Sequence, residues 1–532
     1  MLLPAVPAVV QAQFTFTINN GSVTIAKYTG SENSVTIPST TNGYQVTSIG
    51  SSAFLNCSSV TNVTIPNTVT NIDFQAFTYC GLTSVTIPDS VTGIKGSAFM
   101  YCSSLASLTI GESVISIGYD VFYGCSSLTN VIIPNSVTNI KSTAFAYCSS
   151  LTNITVNPQN PAYSSVAGVL LDKNRTTLIE YPFGLAGSYT IPGSVTNIGE
   201  YAFDGCNGLT NLTIPNSVTT IEQYAVSGCA SLTNIIIPTS VTTIGQSAFS
   251  GCASLTNIII PNSVTNIGAG VFGYCTHLTG INVDASNPAY CSVAGVLFDF
   301  SQTALIEFPY GKSGSYFKPG SYTIPNSVTN IGDWAFSGCL LSNITLPDNL
   351  TTIGVGAFGG CTRLSNITIP NGVTTIGDVA FEATSLTSIT IPSSVTTLGT
   401  LNCPSLLRAY FQGNAPSRGN GNYVIVIPRN TIAYYLPGTT GWVEFNETTD
   451  IPTALWLPQI QISKASFGVR TNQFGFNIQW ASDKTVMVEA CTNLSNPDWQ
   501  PVQTNILTTG SAYFSDPQWT NYPNHFYRIR SP

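Results

Sequence analysis

One motif, A-F-x-x-C-x-x-L-T-x-I-x-I-P-x-S-V-T-x-I-G, recurs along most of this 532-residue chain. The prolines that end its strand segment mark the copies, and neighbouring copies lie 22 or 23 residues apart, at positions 66, 88, 134, 192, 215, 238, 261, 325, 347, 370 and 392. A fixed period in this range indicates a solenoid, in which one short unit stacks on the next and none buries its apolar face alone. The repeat therefore predicts the architecture of most of the chain, although it says little about a partner.

Each copy contains a strand signal followed by a closing turn. In one copy Val131 and Ile133 alternate with Asn130 and Ile132, which predicts a short strand with its apolar side inward, ended by Pro134. The recurring S-V-T-x-I segment predicts a second extended stretch. We expect the Ala-Phe pair that follows to lie on a short helical turn that fills the far side of the core.

The spacing L-x-x-I-x-I-P-x-x-V resembles the leucine-rich repeat, and the A-F-x-x-C-x-x-L-T-x-I-x-I-P variant resembles its BspA-like bacterial surface-antigen branch. The resemblance covers about residues 31–413. It implies a right-handed, curved α/β-type horseshoe solenoid with a sheet of short parallel strands on the concave side. It also implies a secreted or cell-surface role in adhesion, by binding protein or carbohydrate, rather than catalysis.

The segments outside the repeat carry different signals. Residues 1–12 are apolar and are typical of a signal-peptide remnant, with a short buried strand as the alternative. Residues 13–30 alternate around Asn19-Asn20-Gly21, which predicts a hairpin that forms an N-terminal β cap. Residues 414–458 lose the repeat and are expected to form a C-terminal cap and linker. Residues 459–532 alternate again between turn signals, which predicts a small β-sandwich-like domain.

Two related insertions interrupt the period, near residues 158–191 and 285–324. A polar turn at Asp172–Arg175 between apolar runs predicts a β-hairpin, which we expect to project from one edge of the solenoid. Exposed aromatic residues often anchor interfaces. The aromatic residues of the insertions are therefore candidate ligand contacts, unless they pack the hairpins onto the solenoid: Tyr163, Tyr181, Phe183, Tyr290, Phe308, Tyr310, Tyr316 and Phe317.

The outward positions of the repeat strands are a second candidate binding surface. They are mostly Asn, Ser and Thr, with an apolar patch at Ile236 and Ile259 beside Asn234 and Asn257. Many near-identical contacts favour a multivalent adhesive surface, in which avidity compensates for weak single contacts. The alternatives are a structural spacer without a specific ligand and, less well supported, an ice-binding threonine ladder.

Composition narrows the possible partners. Charged residues make up only 8% of the chain, which suits a stacked array because identical charges on adjacent rungs would repel one another. The net charge of −8 argues against nucleic acid, which requires a basic face. No uninterrupted apolar run reaches the length of a membrane span. The expected partner is therefore an unidentified protein or polysaccharide.

The residues that carry chemistry are sparse. Twelve of the 14 cysteines occupy one slot of the repeat, which predicts a column of small buried thiols, with disulfides between adjacent rungs as the alternative. The chain has two histidines, no C-x-x-C pair and no phosphate-binding glycine loop. We therefore expect no catalytic residues, no metal site and no cofactor.

Overall fold

The computed structural model describes residues 13–315, 318–416, 427–428, 430–463, 467–470, 473–494, 497–521 and 525–531. The signal-peptide prediction for residues 1–12, and the candidates Tyr316 and Phe317, lie outside the described residues. The chain divides into two compact units. The first comprises Met1–Gly320, Asn330–Leu341 and Ala357–Gly359, and the second comprises Ser321–Thr329, Ser342–Gly356 and Gly360–Pro532.

The repeats form stacked coils, here called rungs, and each rung contributes a front strand. The front strands pair in parallel and in register, so that Asn130 lies opposite Asn153 and Val131 opposite Ile154. In the first unit they are Ser34–Thr36, Asn62–Thr64, Ser84–Thr86, Ser107–Thr109, Asn130–Ile133, Asn153–Val156, Gly187–Thr190, Leu209–Thr213, Asn234–Ile235, Asn257–Ile260 and Gly280–Val283. In the second unit they are Ser321–Thr323, Asn343–Thr345, Ser388–Ile391, Arg408–Phe411, Ile432–Tyr435 and Thr453–Leu455. The leucine-rich repeat solenoid with short parallel strands is confirmed.

A second row of shorter strands forms from the S-V-T-x-I segment. Most are two residues long because the glycine or polar residue that follows begins the next turn. In the first unit they are Tyr44–Ile49, Asn71–Ile72, Gly93–Ile94, Ser116–Ile117, Asn139–Ile140, Thr177–Glu180, Asn197–Ile198, Thr220–Ile221, Thr243–Ile244, Asn266–Ile267, Ala304–Glu307 and Asn330–Ile331. In the second unit they are Thr352–Ile353, Thr375–Ile376 and Thr397–Leu398.

The Ala-Phe segment forms consecutive turns, so the helical turn expected from the sequence is wrong. The backbone N–H of Cys57 donates to the Phe54 carbonyl three residues earlier, at 3.1 Å. The N–H of Phe54 itself donates to Ala76 of the next rung, at 2.7 Å. Because alternate N–H groups bond to the adjacent rung, the i to i−4 hydrogen bonds of an α-helix cannot form. Among the described residues the α-helix is Trp442–Thr449, and short 3₁₀ segments lie at Tyr310–Ser313 and Trp519–Asn521.

Stacked aromatic rings and a thiol column fill the core of the first unit. The rings of Phe54 and Phe77 stack with centroids 4.7 Å apart, and the series continues through Phe99. The 14 cysteines all lie among the described residues and none forms a disulfide, and the thiol of Cys102 donates to the Phe77 carbonyl of the preceding rung at 3.1 Å. Equivalent bonds recur in other rungs, so the cysteine slot supplies a small buried donor for a carbonyl group.

Each insertion forms three antiparallel strands that merge with the second row of strands. In the first insertion they are Tyr163–Val166, Val169–Asp172 and Thr177–Glu180, and the last of these pairs in parallel with Asn197–Ile198. In the second insertion they are Tyr290–Val293, Val296–Asp299 and Ala304–Glu307. The hairpin prediction is correct, but the insertions do not project freely, because their last strand is itself a second-row strand.

Irregular elements occupy both ends of the described chain. Strands Phe14–Asn19 and Ser22–Tyr28 form the hairpin that the Asn-Gly turn predicts, and the Tyr28 ring stacks on Phe54 at 5.1 Å. A short strand Thr40–Thr41 pairs with Tyr44–Ile49, and Gly314–Ser315 pairs with Lys318–Pro319. After the last front strand, Thr453–Leu455, the described residues form two antiparallel sheets. One sheet contains Gln459–Gln461, Phe467–Arg470, Gln473–Gln479 and Ser511–Asp516, and the other contains Lys484–Cys491, Gln500–Leu507 and Phe526–Arg530.

Candidate binding surfaces

The side chains that point outward from the front strands are of similar kinds on successive rungs. Strand alternation turns Ile235 and Ile237 into the core, where each is 5% exposed. The residue between them, Ile236, is 74% exposed, and Ile259 of the next rung is 61% exposed. The structure therefore places the apolar patch predicted at these two residues in solvent.

The asparagines of this surface are exposed, and some of them form hydrogen bonds with one another. Asn234 and Asn257 both point to solvent. Asn282 donates from Nδ2 to Oδ1 of Asn257 at 2.8 Å. Such bonds between rungs hold the amides in a fixed orientation, so the surface presents a regular array of polar groups.

A shallow depression of about 510 Å³ lies over the early front strands. Asn62, Thr64 and Thr86 form part of its floor, and the acidic residues Asp89 and Glu112 lie at its border. The surface thus combines neutral polar groups with a small acidic edge.

The aromatic residues of the insertions mostly contribute to packing. Tyr163 is 9% exposed, Tyr181 3% and Phe308 3%, whereas Phe183, Tyr290 and Tyr310 are half-buried. A buried ring has no face left for a ligand, so the exposure on which the choice of Tyr163, Tyr181 and Phe308 depended is absent.

Tyr163 and Tyr290 have the same role in the two insertions. The hydroxyl oxygen of Tyr163 accepts a hydrogen bond from the backbone N–H of Ile140 at 2.8 Å. The Tyr290 hydroxyl accepts one from Ile267 at 3.0 Å. In both places the second-row strand ends at an insertion, and the tyrosine satisfies an N–H group that has lost its neighbouring strand.

Tyr181 and Phe308 occupy the phenylalanine slot of the repeat. The Tyr181 ring packs on Phe203 at 5.0 Å, and the Phe308 ring stacks on Phe336 at 5.2 Å. The insertion rung is shorter before this slot, and the residue that precedes each ring is the buried acid Glu180 or Glu307.

Both glutamates are buried in the core of their rungs, which changes their acidity. Burial raises the pKa of Glu180 to about 8, and the neighbouring Asp204 carboxyl adds to the effect. Burial also raises the pKa of Glu307 well above its usual range, against the opposing effect of backbone hydrogen bonds from Phe272 and Val271. Among the described residues, Oε2 of Glu307 has no hydrogen-bond partner. These groups are therefore held as neutral acids.

A row of aromatic residues along the turn side was missed by the sequence reasoning. It consists of Tyr79, Tyr101, Tyr123, Tyr147 and Phe183, here called the aromatic row. The sequence signal that could have revealed this row is a tyrosine at, or next to, the position before the repeat cysteine. The residue at this position varies between copies of the motif. Of the predicted contacts, only Phe183 belongs to this row.

The described residues also bear on metal binding and on membrane insertion. In the part of the chain that the structure describes, no cluster of three or more His, Cys, Asp or Glu side chains has an arrangement that would hold a metal ion. The described helices include none with the length and apolar character needed to cross a bilayer.

The chain is similar to known bacterial repeat proteins. The profile of the family described as BspA type Leucine rich repeat region matches in six copies over residues 17–163, 186–291 and 316–403, more than half of the chain. No curated protein sequence is significantly similar.

Among solved structures, a leucine-rich repeat protein from Eubacterium ventriosum is 28% identical over 70% of this chain and 92% of that chain, with a TM-score of 0.43. A leucine rich cell surface protein from Faecalibacterium prausnitzii is 30% identical over 76% of this chain and 94% of that chain, with a TM-score of 0.35. A leucine-rich repeat protein from Bacteroides ovatus is 26% identical over 83% and 98% of the two chains, with a TM-score of 0.39.

Proposed function

The chain belongs to the BspA-type leucine-rich repeat family, and from that premise we propose that it is a secreted or cell-surface protein that adheres to a protein ligand through its front-strand surface, without catalysis. The observation that carries the proposal is the exposure of Ile236 and Ile259 on that surface. Apolar side chains that are exposed side by side on a surface are typical of interaction sites.

The internal repeats show that these isoleucines are not needed for folding. The same outward position holds Thr213 in the preceding rung and Thr368 in a later rung. Ile132, which is 58% exposed, is a third isoleucine in this position. Since threonine satisfies the strand equally well there, isoleucine adds apolar contact area that only a ligand would bury.

Multivalency supports adhesion as the mode of binding. Each rung offers a small, uncharged set of contacts, and an extended ligand would engage several rungs at once. Burial of one isoleucine side chain contributes about 1.5–3 kcal/mol, and avidity over several rungs multiplies the effect. An extracellular location is proposed from the family and from the apolar residues 1–12.

The test is surface plasmon resonance of the full chain on an array of purified collagen, laminin and fibronectin. The key variant replaces Ile236 and Ile259 with threonine, and the matched control is Ile115→Thr, which removes an isoleucine that is 52% exposed and lies outside the front strands. Deletion of the insertions is unsuitable, because each contains a second-row strand and its removal would open the core.

We expect saturable binding to at least one of these proteins, weakened at least tenfold in the double variant, since about 1.4 kcal/mol corresponds to tenfold. The control should bind within a factor of two or three of the wild type. If the double variant binds as tightly as the wild type, Ile236 and Ile259 do not contact the ligand. Absence of binding by the wild type would favour the structural spacer.

A further inference from the structure

The aromatic row runs across five consecutive rungs of the first unit on a surface separate from the front strands. Its ring centroids lie 4.9 Å apart from Tyr79 to Tyr101, 5.4 Å from Tyr101 to Tyr123 and 4.9 Å from Tyr123 to Tyr147. The distance from Tyr147 to Phe183 is 5.2 Å. Tyr79 is 50% exposed and Tyr147 37% exposed, so the row lies at the surface rather than in the core.

The backbone under the row is one that tyrosine disfavours. Tyr79, Tyr101 and Tyr147 have φ values of 59°, 56° and 58°, in the left-handed region. The same slot, directly before the repeat cysteine, holds a left-handed glycine in other rungs, such as Gly228 and Gly251. Glycine adopts this conformation without the steric penalty of a side chain. Bulky residues that persist in a strained position are typical of functional sites.

Each ring surface is only partly covered by its neighbours. Tyr79 and Tyr101 stack with planes 12° apart, so each covers one face of the other, whereas the planes of Tyr101 and Tyr123 are turned by 81°. The planes of Tyr123 and Tyr147 differ by 33°, and those of Tyr147 and Phe183 by 32°. At the other end, the rung before Tyr79 has Asn56 in the equivalent slot, so no ring from that rung covers it. The row therefore presents ring edges along its length, and at Tyr79 it also presents a ring face that no neighbouring ring covers.

Beside Tyr79 and Tyr101 the row borders uncharged hydrogen-bonding groups, whereas the carboxyl group of Asp204 lies near Tyr123 and Tyr147. A groove of about 470 Å³ lies beside Tyr79 and Tyr101. Its other lining residues carry no charge, and they are Asn56, Ser58, Cys80, Gly81, Ser103 and Ser104. Near Tyr147, burial raises the pKa of Asp204 to about 6. A groove without cations does not suit nucleic acid or an acidic polymer, whereas hydroxyl and amide groups suit a ligand rich in hydroxyls.

We infer that the aromatic row is a binding site for an extended, neutral, β-linked polysaccharide. The apolar C–H face of a pyranose ring packs against an aromatic ring, and its hydroxyl groups bond to serine, asparagine and tyrosine side chains. An extended β-linked chain advances by one sugar over a distance close to one rung, so successive sugars meet successive rings. This site goes beyond the proposed function, because its surface and its ligand class both differ from those of the front strands.

The test uses isothermal titration of the full chain with two extended β-1,4-linked sugars, cellohexaose and mannohexaose. The key variant carries Tyr79→Gly, Tyr101→Gly and Tyr147→Gly, each of which restores the residue found at that slot in other rungs. The matched control carries Tyr201→Ser and Tyr224→Ser. These two tyrosines stack at 4.9 Å outside the row, and Ser247 fills their slot in the following rung.

We expect the wild type and the control to bind at least one hexasaccharide with equal affinity and the triple variant to bind it at least tenfold more weakly. Absence of binding by the wild type to both sugars, or equal binding by the triple variant, would overturn the inference. Binding of a proline-rich decapeptide in place of the sugars would also overturn it. The Ile236→Thr/Ile259→Thr variant should retain sugar binding, so the failure of this site and the failure of the front-strand proposal are distinguishable.

A second measurement does not depend on the folding of the variant. Nitration of the wild type with tetranitromethane, read by mass spectrometry, should modify Tyr79 and Tyr147, and the bound hexasaccharide should slow both modifications at least threefold. The exposed Tyr119, which lies outside the row, should be modified at an unchanged rate. Equal protection of all three, or protection of none, would contradict the assignment.

Discussion

Replacement of Glu180 by glutamine is expected to remove a pH-dependent loss of stability from the rung that contains the first insertion. Burial raises the pKa of Glu180 from 4.5 to about 8. A difference of about 3.5 pKa units corresponds to about 5 kcal/mol between the two protonation states, at 1.36 kcal/mol for each unit. Glutamine has nearly the same shape as the neutral acid and does not titrate, so it should keep the packing and abolish the pH dependence that comes from Glu180.

The direction of the pH dependence follows from whether the folded or the unfolded chain binds the Glu180 proton more tightly. The folded chain keeps Glu180 protonated up to about pH 8, whereas the unfolded chain releases this proton near pH 4.5. The stabilisation is therefore complete below pH 4.5 and is lost progressively as the pH rises to about 8. At pH 7 the loss from Glu180 amounts to about 3 kcal/mol. Burial raises the pKa of Asp204 from 3.8 to about 6, which adds a loss of the same sign at lower pH.

The measurement is hydrogen exchange of the full chain at pH 5 and pH 8, corrected for intrinsic rates and read by mass spectrometry on peptides that cover residues 177–185 and 197–206. Exchange is suitable because a repeat array opens locally, so a global unfolding midpoint would average over rungs. In the wild type, protection of these peptides should fall markedly between the two pH values. In Glu180→Gln it should fall by about a third as much in free energy, and the remaining fall comes from Asp204, which still titrates in this range.

The matched control is Glu200→Gln, which removes an exposed carboxylate from a neighbouring rung. It should reproduce the wild-type pH dependence. The reasoning is refuted if wild-type protection is the same at both pH values, or if the control flattens the profile as Glu180→Gln does.

Three further predictions concern the core, the thiols and the edge of the insertion. Phe249→Ala should cost about 3–5 kcal/mol of local stability in urea titrations followed by exchange, because the ring is fully buried; equal stability would contradict the assigned core. In the native protein an aromatic disulfide reagent should label only the half-exposed Cys57 and Cys291 among the 14 thiols, and the adjacent Cys80 side chain lowers the Cys57 pKa and favours its thiolate; rapid labelling of the buried column would contradict the structure. Tyr163→Phe should lower the melting temperature and cost about 1–3 kcal/mol, since it leaves the Ile140 N–H unpaired; no change would show that water replaces the hydroxyl.

The strand rows could be predicted because each depends on short-range alternation that the repeat states many times. Val131 and Ile133 face inward and Ile132 faces solvent, as the two-residue period requires. The buried cysteine slot was predictable for the same reason. The hydrogen bond made by the cysteine could not be predicted, since the carbonyl group that accepts from the thiol of Cys102 belongs to Phe77, 25 residues earlier.

The turn side could not be predicted from local preference. The Ala-Phe segment contains residues that a short helix accepts, but its N–H groups bond alternately within the rung and to the next rung. Stacking therefore decides the backbone there, and it places Tyr79, Tyr101 and Tyr147 in a left-handed conformation that single-sequence reasoning would assign to glycine.

The insertions show the same division between sequence and structure. Their shared pattern predicted a β-hairpin, but sequence alone could not show the third strand, the burial of Glu180 and Glu307, or that Tyr163 and Tyr290 close the edge of a sheet. The solenoid, its period and the inward face of each strand could be predicted from the amino-acid sequence, because they depend on the alternation within one rung. The exposure of the aromatic rings and the neutrality of the carboxyl groups could be learned only from the folded chain, because both depend on the rung that stacks above or below.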